Sequence, residues 1–412
     1  MNAEHFIAKR LISAKNNKSS IAAPIIKIAV AAIAIGILMM IVSVATGVGL
    51  QKTIQQKIAA FSGHVIISNY TNNQSDVSTG PISLNQSFYP KFTSVTGITH
   101  VQGIVTKAGI IRTASAFEGI VYKGVGTDYD FSYLKQYVTS GRLPTVSKAL
   151  NNEVLISQYL ANRLNLKLNS KFNTFFMKEE RNKLPNIRNF QIVGIYNSGF
   201  PEFDATYIIG DIRHLQKINK WSSNQVGSFE VFIDNFNQIE QKSKQIYEQT
   251  ASTLNTQPIT DKFYFIFEWL KLFDFNILII IAIMILVSTI NMAVALLVLI
   301  LERTQMIGIL KSIGASNWSI RKIFLYNAFY LISRGLFWGN LIAISLLLIQ
   351  KQFQILTFPN PEQYYSKIVP VDINIVNILL LNALTITICL LVLLIPSYII
   401  TKISPAKAIR FD

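Results

Sequence analysis

Apolar residues in this chain are gathered into four long runs. The first extends from about Ile21 to Leu50, with no charge between Lys27 and Lys52. The second, Phe275 to Leu301, carries no charge at all. The third, Ile323 to Ile349, is interrupted by Arg334, and the fourth, Ile373 to Ile400, is uncharged with Pro396 near its end. About 20 apolar residues cross the hydrocarbon core as a helix, so each run predicts a transmembrane helix. A core helix of a soluble protein fits poorly, because about 18 uncharged residues in succession are rare in soluble folds.

Between the first two runs the period changes. A helical extension, Gln51 to Phe61, gives way to short β-rich segments at His64–Ser68, Gly103–Ile111, Gly119–Val125, Lys171–Met177, Phe190–Tyr196 and Ser228–Ile233. Turn residues separate them. Helical stretches are expected at Ser157–Leu164 and Phe236–Leu254, and residues Asn69 to Gln86, rich in Ser, Thr, Asn and Gly, read as an exposed loop. The region is therefore a mixed α+β domain.

Charge placement orients the chain. Lys9, Arg10, Lys15, Lys18 and Lys27 precede the first run; Arg303, Lys311, Arg321 and Lys322 lie between the second and third; Lys402, Lys407 and Arg410 follow the fourth. Basic residues in short loops stay in the cytoplasm, whereas long domains translocate regardless of charge. The expected organisation is a cytoplasmic N-terminus (1–20), a first span (21–50), an external α+β domain (51–270), a second span (271–301), a cytoplasmic segment (302–318), a third span (319–350), an external loop (351–372), a fourth span (373–400) and a cytoplasmic C-terminus (401–412). The first span reads as a retained signal anchor, since its apolar run is too long for a signal-peptide core.

Composition agrees. The 412 residues are 50% hydrophobic and 15% charged, against about 25% charged in soluble domains. The net charge is +16, and its basic excess in the short flanks reads as a topology signal, which leaves nucleic-acid binding little to explain. One cysteine, Cys389, and four scattered histidines give neither a disulfide scaffold nor a multi-ligand metal site. The sequence has no G-x-x-x-x-G-K-[ST] phosphate loop and no H-E-x-x-H, C-x-x-C or G-x-S-x-G motif. Asp128 and Asp130 suggest an Asx-type turn rather than a paired-carboxylate site. Nothing points to an enzyme or to a cofactor bound by this chain.

The short segment from Glu302 to Ser316 is the most informative. Met306, Ile309, Leu310 and Ile313 fall at i, i+3, i+4 and i+7, one apolar face of a short helix. Gly314 suits its C-terminal cap and Ser316 the N-cap of the next helix. Such a helix can lie in the lipid headgroups or dock into a groove on a soluble partner.

The run Glu302-Arg303…Ile307-Gly308-Ile309-Leu310-Lys311…Ile313-Gly314-Ala315-Ser316 resembles the coupling helix of FtsX/MacB-type ABC transporter permeases. The closing Pro405-Ala406…Ala408-Ile409-Arg410 is similar to that superfamily's C-terminal pattern, with Lys407 where an acidic residue is usual. Further segments resemble the lipoprotein-releasing permeases of the LolC/LolE type. They are Phe6–Arg10, Phe61–Ile67 with His64, Gly141-Arg-Leu-Pro144, Glu153–Ser157, Val193–Gly199 with Glu202–Asp204, and Tyr364-Tyr365…Val369-Pro370.

The resemblance implies four spans, both termini in the cytoplasm, and a periplasmic domain in a bacterial inner membrane. It implies a separate ABC ATPase that holds the ATP and magnesium and contacts Glu302, Met306, Ile309, Leu310, Ile313 and Gly314. It implies a second permease copy, identical or related, and a lipoprotein cargo. Met39, Met40 and Val44 of the first span, beside the small residues Gly36, Gly47 and Gly49, are the expected cavity surface. A LolA-like periplasmic carrier would meet the hairpin Lys178–Arg188 through Arg181, Leu184, Pro185, Ile187 and Arg188. Two other roles fit the superfamily: an FtsX-like relay to a periplasmic hydrolase, and a MacB-like exporter of peptides or toxins. The size of the external domain favours transport over the relay, and MacB-type chains often fuse the ATPase ahead of the first span. Arg334 departs from the family's usual small residue and is expected near a helix end, or paired with Asn327 or Asn340.

Overall fold

The structure, a computed structural model, describes residues 4, 6–8, 10, 22–72, 75–114, 116–147, 149–178 and 184–404. The chain divides into two units. One comprises residues 1–51, 269–357 and 368–412; the other comprises 52–268 together with 358–367.

The first unit is helical. Its long elements are the helices Ala22–Ser62, Tyr264–Glu302, Asn317–Phe353 and Ile375–Ser397, the first two running on into residues of the other unit. All four are long and apolar enough to cross a membrane. A short helix, Thr304–Ser312, joins the second to the third, and a last turn, Ile399–Lys402, follows the fourth. Pro396 lies inside the fourth helix, where its missing N–H interrupts the ladder.

Small residues set the closest approach in this unit. Ile33 and Ile37 of the first helix are fully buried against the third. A Cβ on Gly335 would lie 2.8 Å from the Ile33 Cβ, and one on Gly339 would lie 3.1 Å from the Ala34 Cα. Gly335 and Gly339 form a G-x-x-x-G pair, which lets two apolar helices meet almost backbone to backbone. Gly36 faces the second helix, where Ser288 Oγ would stand 2.5 Å from an added Cβ. Asn340 and Asn382 exchange side-chain hydrogen bonds at 2.7 and 3.0 Å between the third and fourth helices. Asn340 is thus engaged with Asn382, not with Arg334. Arg334 sits one residue before the midpoint of its helix and is exposed, so the expectation of a position near a helix end does not hold.

The second unit is built on β1 (Val65–Asn69), β2 (Ile82–Ser83), β3 (Ile98–Arg112), β4 (Phe117–Val125), β5 (Val138–Gly141), β6 (Glu153–Ser157), β7 (Lys171–Phe176), β8 (Asn186–Tyr196), β9 (Tyr207–Asp211), β10 (Gln225–Val226), β11 (Ser228–Ile233) and β12 (Leu254–Pro258). Among the described residues ten of these form one sheet, nine of them in the order β12-β1-β11-β3-β4-β9-β6-β8-β5 with β7 off this path. The seventh strand pairs with both β3 and β8, so β3, β4, β9, β6, β8 and β7 close into a ring. Inside it Tyr122 stacks on Phe190 at 4.9 Å and meets Phe176 edge-on at 6.0 Å. All three side chains are fully buried. The pairs β4–β9 and β6–β8 are parallel, and every other ladder is antiparallel.

The helices of this unit start and stop where side chains allow. Ser157 caps Gln158–Arg163 by accepting the Leu160 amide at 3.0 Å. The expected helix Phe236–Leu254 is a 3-10 turn, Phe236–Gln238, and a helix, Ile239–Gln249; Leu254 instead opens β12. The Ser/Thr/Asn-rich loop after β1 is pinned rather than free. The Asn72 side chain accepts from the Thr79 amide at 2.9 Å, and the Ser78 and Thr106 hydroxyls share a bond at 3.1 Å.

Candidate partner and cargo surfaces

The segment after the second long helix folds as its pattern predicts around Gly314 and Ser316. Gly314 takes a φ of +91°. Its amide donates to Lys311 at 3.1 Å, and the Ala315 amide donates to Leu310 at 2.9 Å. That pair of bonds is the Schellman arrangement. Ser316 then accepts the Ser319 amide and caps the third long helix.

The apolar face of this short helix divides in two. Ile307 and Gly308 are buried, and Met306 and Leu310 pack against the helical core. Ile309 and Ile313 face outward, Ile313 being 74% exposed, with Glu302 and Gly314 also exposed. The surface open to a partner is therefore Glu302, Ile309, Ile313 and Gly314, while Met306 and Leu310 seat the helix on its own unit. Lys311, on the same helix, turns its ammonium onto the backbone carbonyls of Ile400 (2.7 Å), Ile403 (2.8 Å) and Thr401 (3.3 Å).

The first-span residues separate likewise. Met39 is exposed, in line with Ile28 and Ile35 at helical spacing. Met40 is fully buried among the four helices, so it presents no surface to a cargo, contrary to expectation. Val44 is half-buried and borders a small recess with Ile41, Ile378 and Leu381. The exposed stripe belongs to residues one or two turns apart, and Met40 lies one residue round the helix from it.

In the α+β unit the hairpin joins β7 to β8. Residues 179–183, with Arg181 among them, lie outside the described residues. Leu184 is 84% exposed, Ile187 is 51% exposed, Met177 is exposed, and Pro185 and Arg188 are half-buried. The register places Ile110 opposite Phe175 and Phe175 opposite Ile187. An apolar row, exposed at Ile110 and Ile187 and half-buried at Phe175, thus crosses three strands at the root of the hairpin.

Other segments singled out in the sequence prove to be architectural. Arg142 clamps Glu153 with two bonds, one of 2.8 Å from Nη1 and a shorter one from Nη2. The pair holds the Glu153 carboxyl well down, at about 2. Gly141 has a φ of +79°, and a Cβ there would stand 3.0 Å from the Gly194 Cα. Asp204 accepts from the Ser198 amide (3.0 Å), the Ser198 hydroxyl (2.8 Å) and the Gly199 amide (3.1 Å). Burial pushes its carboxyl up, and these donors oppose the shift. Asp130 makes the Asx turn, accepting from Ser132 at 2.9 Å, while Asp128 accepts the Gly103 amide at 2.7 Å. Lys123 and Glu230, a fully buried pair at 2.6 Å, tie the end of the first helix to the sheet through the Phe61 carbonyl. Sequence reading passed over this pair, because a lysine and a glutamate 107 residues apart leave no local pattern.

Four apolar helices, a short helix with an outward apolar ridge between the second and third, and a large α+β unit between the first and second define a multi-pass membrane permease of the ABC-transporter class. The chain belongs to the FtsX/MacB superfamily of such permeases and is similar to its LolC/LolE type. The MacB-like periplasmic core domain family matches residues 28–253, and the FtsX-like permease C-terminal family matches residues 278–405. The chain is 22% identical over 393 residues to the lipoprotein-releasing system transmembrane protein LolC of Buchnera aphidicola subsp. Schizaphis graminum, covering 93% of this chain and 92% of that protein. It is 20% identical to the LolC protein of Neisseria meningitidis serogroup B, covering 99% of each. Among solved structures, the periplasmic region of MacB from Actinobacillus actinomycetemcomitans aligns with 51% of this chain and 95% of that one, at 14% identity and a TM-score of 0.33.

Proposed function

We propose that this permease extracts lipoproteins from the inner membrane and passes them to a periplasmic carrier similar to LolA. The reading rests on relatives named for lipoprotein release that align over nearly the whole chain. Two copies, identical or related, would face each other, each contributing four spans. A separate ATPase would carry ATP and magnesium and receive Ile309 and Ile313 in a groove. The cargo's acyl chains would meet the outward stripe of the first span at Met39. The carrier would meet the apolar row at Ile110, Phe175 and Ile187 together with Leu184 and Pro185, with Arg188 adding positive charge that steers encounter more than it holds.

The direct test uses the permease and its ATPase in proteoliposomes loaded with an acylated reporter protein. ATP-dependent transfer of the reporter to soluble carrier is the expected result. Hydrolysis that proceeds with no reporter leaving the bilayer would overturn the lipoprotein reading.

A further inference from the structure

Pro396 weakens the end of the fourth long helix. Proline supplies no N–H and its ring crowds the carbonyl four residues back, and the helix is followed by a single turn, Ile399–Lys402. Carbonyls at a helix C-terminus lack intrahelical partners and carry partial negative charge. Here two cations from elsewhere in the fold take them up. Lys311, in the last turn of the coupling helix, donates to Ile400, Thr401 and Ile403. Arg321, in the second turn of the third long helix, donates to the Leu394 carbonyl at 2.9 Å and the Ser397 hydroxyl at 3.0 Å. Apolar contacts follow the same path. Ile400 is fully buried, and Ile399, Ile403, Met306 and Leu310 pack on the same cluster.

We infer that Lys311 is a positioning residue that clamps the end of the fourth span to the coupling helix, so that the two move as one body when the ATPase displaces that helix. This rests on the reading that the segment docks an ATPase. An aliphatic residue at 311 would keep the packing but release three carbonyls. An arginine would keep the charge and the donors.

The test is a distance measurement by electron paramagnetic resonance on the full chain in complex with its ATPase, with and without a non-hydrolysable ATP analogue. Spin labels go on Gln305→Cys and Tyr398→Cys, both exposed, in a Cys389→Ser background. A single narrow distance, unchanged by nucleotide, is expected for Lys311 and for Lys311→Arg. Lys311→Met should lose it and give a broad distribution while the ATPase stays bound; Arg321→Met, which loosens the second tie, should broaden it too. A narrow distance in Lys311→Met would overturn the clamp. So would loss of the ATPase with the narrow distance intact, since Lys311 would then be an ATPase contact. Loss of the narrow distance in Lys311→Arg would also overturn it. An Ile313→Asp chain that sheds its ATPase but keeps the narrow distance tests docking separately from the clamp.

Discussion

The Nδ1 atom of His64 accepts the backbone amide of Ile233 at 3.2 Å. The imidazole must be neutral at that nitrogen to do so, and burial holds its pKa at about 4, below the usual 6.5. The unfolded chain therefore binds a proton between these values and the folded chain does not. Stability from this group is complete above pH 6.5 and is lost as pH falls toward 4, by about 3 kcal/mol in all. Hydrogen exchange at β1 and Ile233, corrected for intrinsic rate, should quicken between pH 7 and pH 5. His64→Gln should abolish that pH dependence; an equal slope in the variant would mean another group is responsible.

Glu153 gives a second pH signature at lower pH. With its carboxyl held at about 2 by Arg142, the pair stabilises the fold above about pH 4.5, and the contribution fades as pH falls to 2. Arg142 is 55% exposed, so the gain stays below about 1 kcal/mol. Glu153→Gln should melt slightly lower at pH 7 and match the wild type near pH 2, as followed by circular dichroism.

The G-x-x-x-G contact is expected to tolerate almost nothing. Gly339→Leu would drive a side chain into Ala34 and Ile37, and overpacking costs about 1–3 kcal/mol or more. Thermal unfolding in detergent should shift down. Gly119→Ala, which meets nothing within 4 Å, serves as the neutral comparison.

ATPase docking should depend on the outward residues of the coupling helix. Burying one such aliphatic side chain contributes about 1.5–3 kcal/mol, or about 10- to 100-fold in affinity. Ile313→Asp should strip the ATPase from the purified complex at an unchanged melting temperature. Leu310→Asp should lower the melting temperature as well, because Leu310 packs inward.

Replacing Leu184-Pro185 with Gly-Ser should weaken carrier binding, measured by surface plasmon resonance, and leave ATP hydrolysis unchanged. Unaltered binding would move the carrier site away from the hairpin.

What the sequence disclosed follows from what patterning can encode. Length and lack of charge announced the four long helices. Strands β1, β3, β4, β7, β8 and β11 were legible because they are long or strongly apolar. Strands β5 (VTSG) and β12 (LNTQP) were not; they end the sheet order, where one side has no neighbour and polar residues serve. Strand β9 is nearly all buried, so it lacks the alternation that marks a half-exposed strand. Periodicity found the apolar face of the coupling helix but could not tell which residues its own unit covers. Met306 and Leu310 are the two that pack inward. Lys311 read as a topology charge and as part of the motif, but not as a clamp, since its partners are carbonyls 89 to 92 residues away.

The loop Phe358–Lys367, which follows the third long helix, belongs to the α+β unit. There Tyr365 stacks on Phe200 at 4.1 Å, and its carbonyl accepts from Lys57 at 2.7 Å. That unit is therefore not a cassette. A chimera that transplants residues 52–268 as one insert carries Phe200 and Lys57 into a chain without Tyr365. Swapping external domains between permeases of this kind requires two splice pairs, and recombination that respects only the longer segment breaks a module the linear map makes look whole.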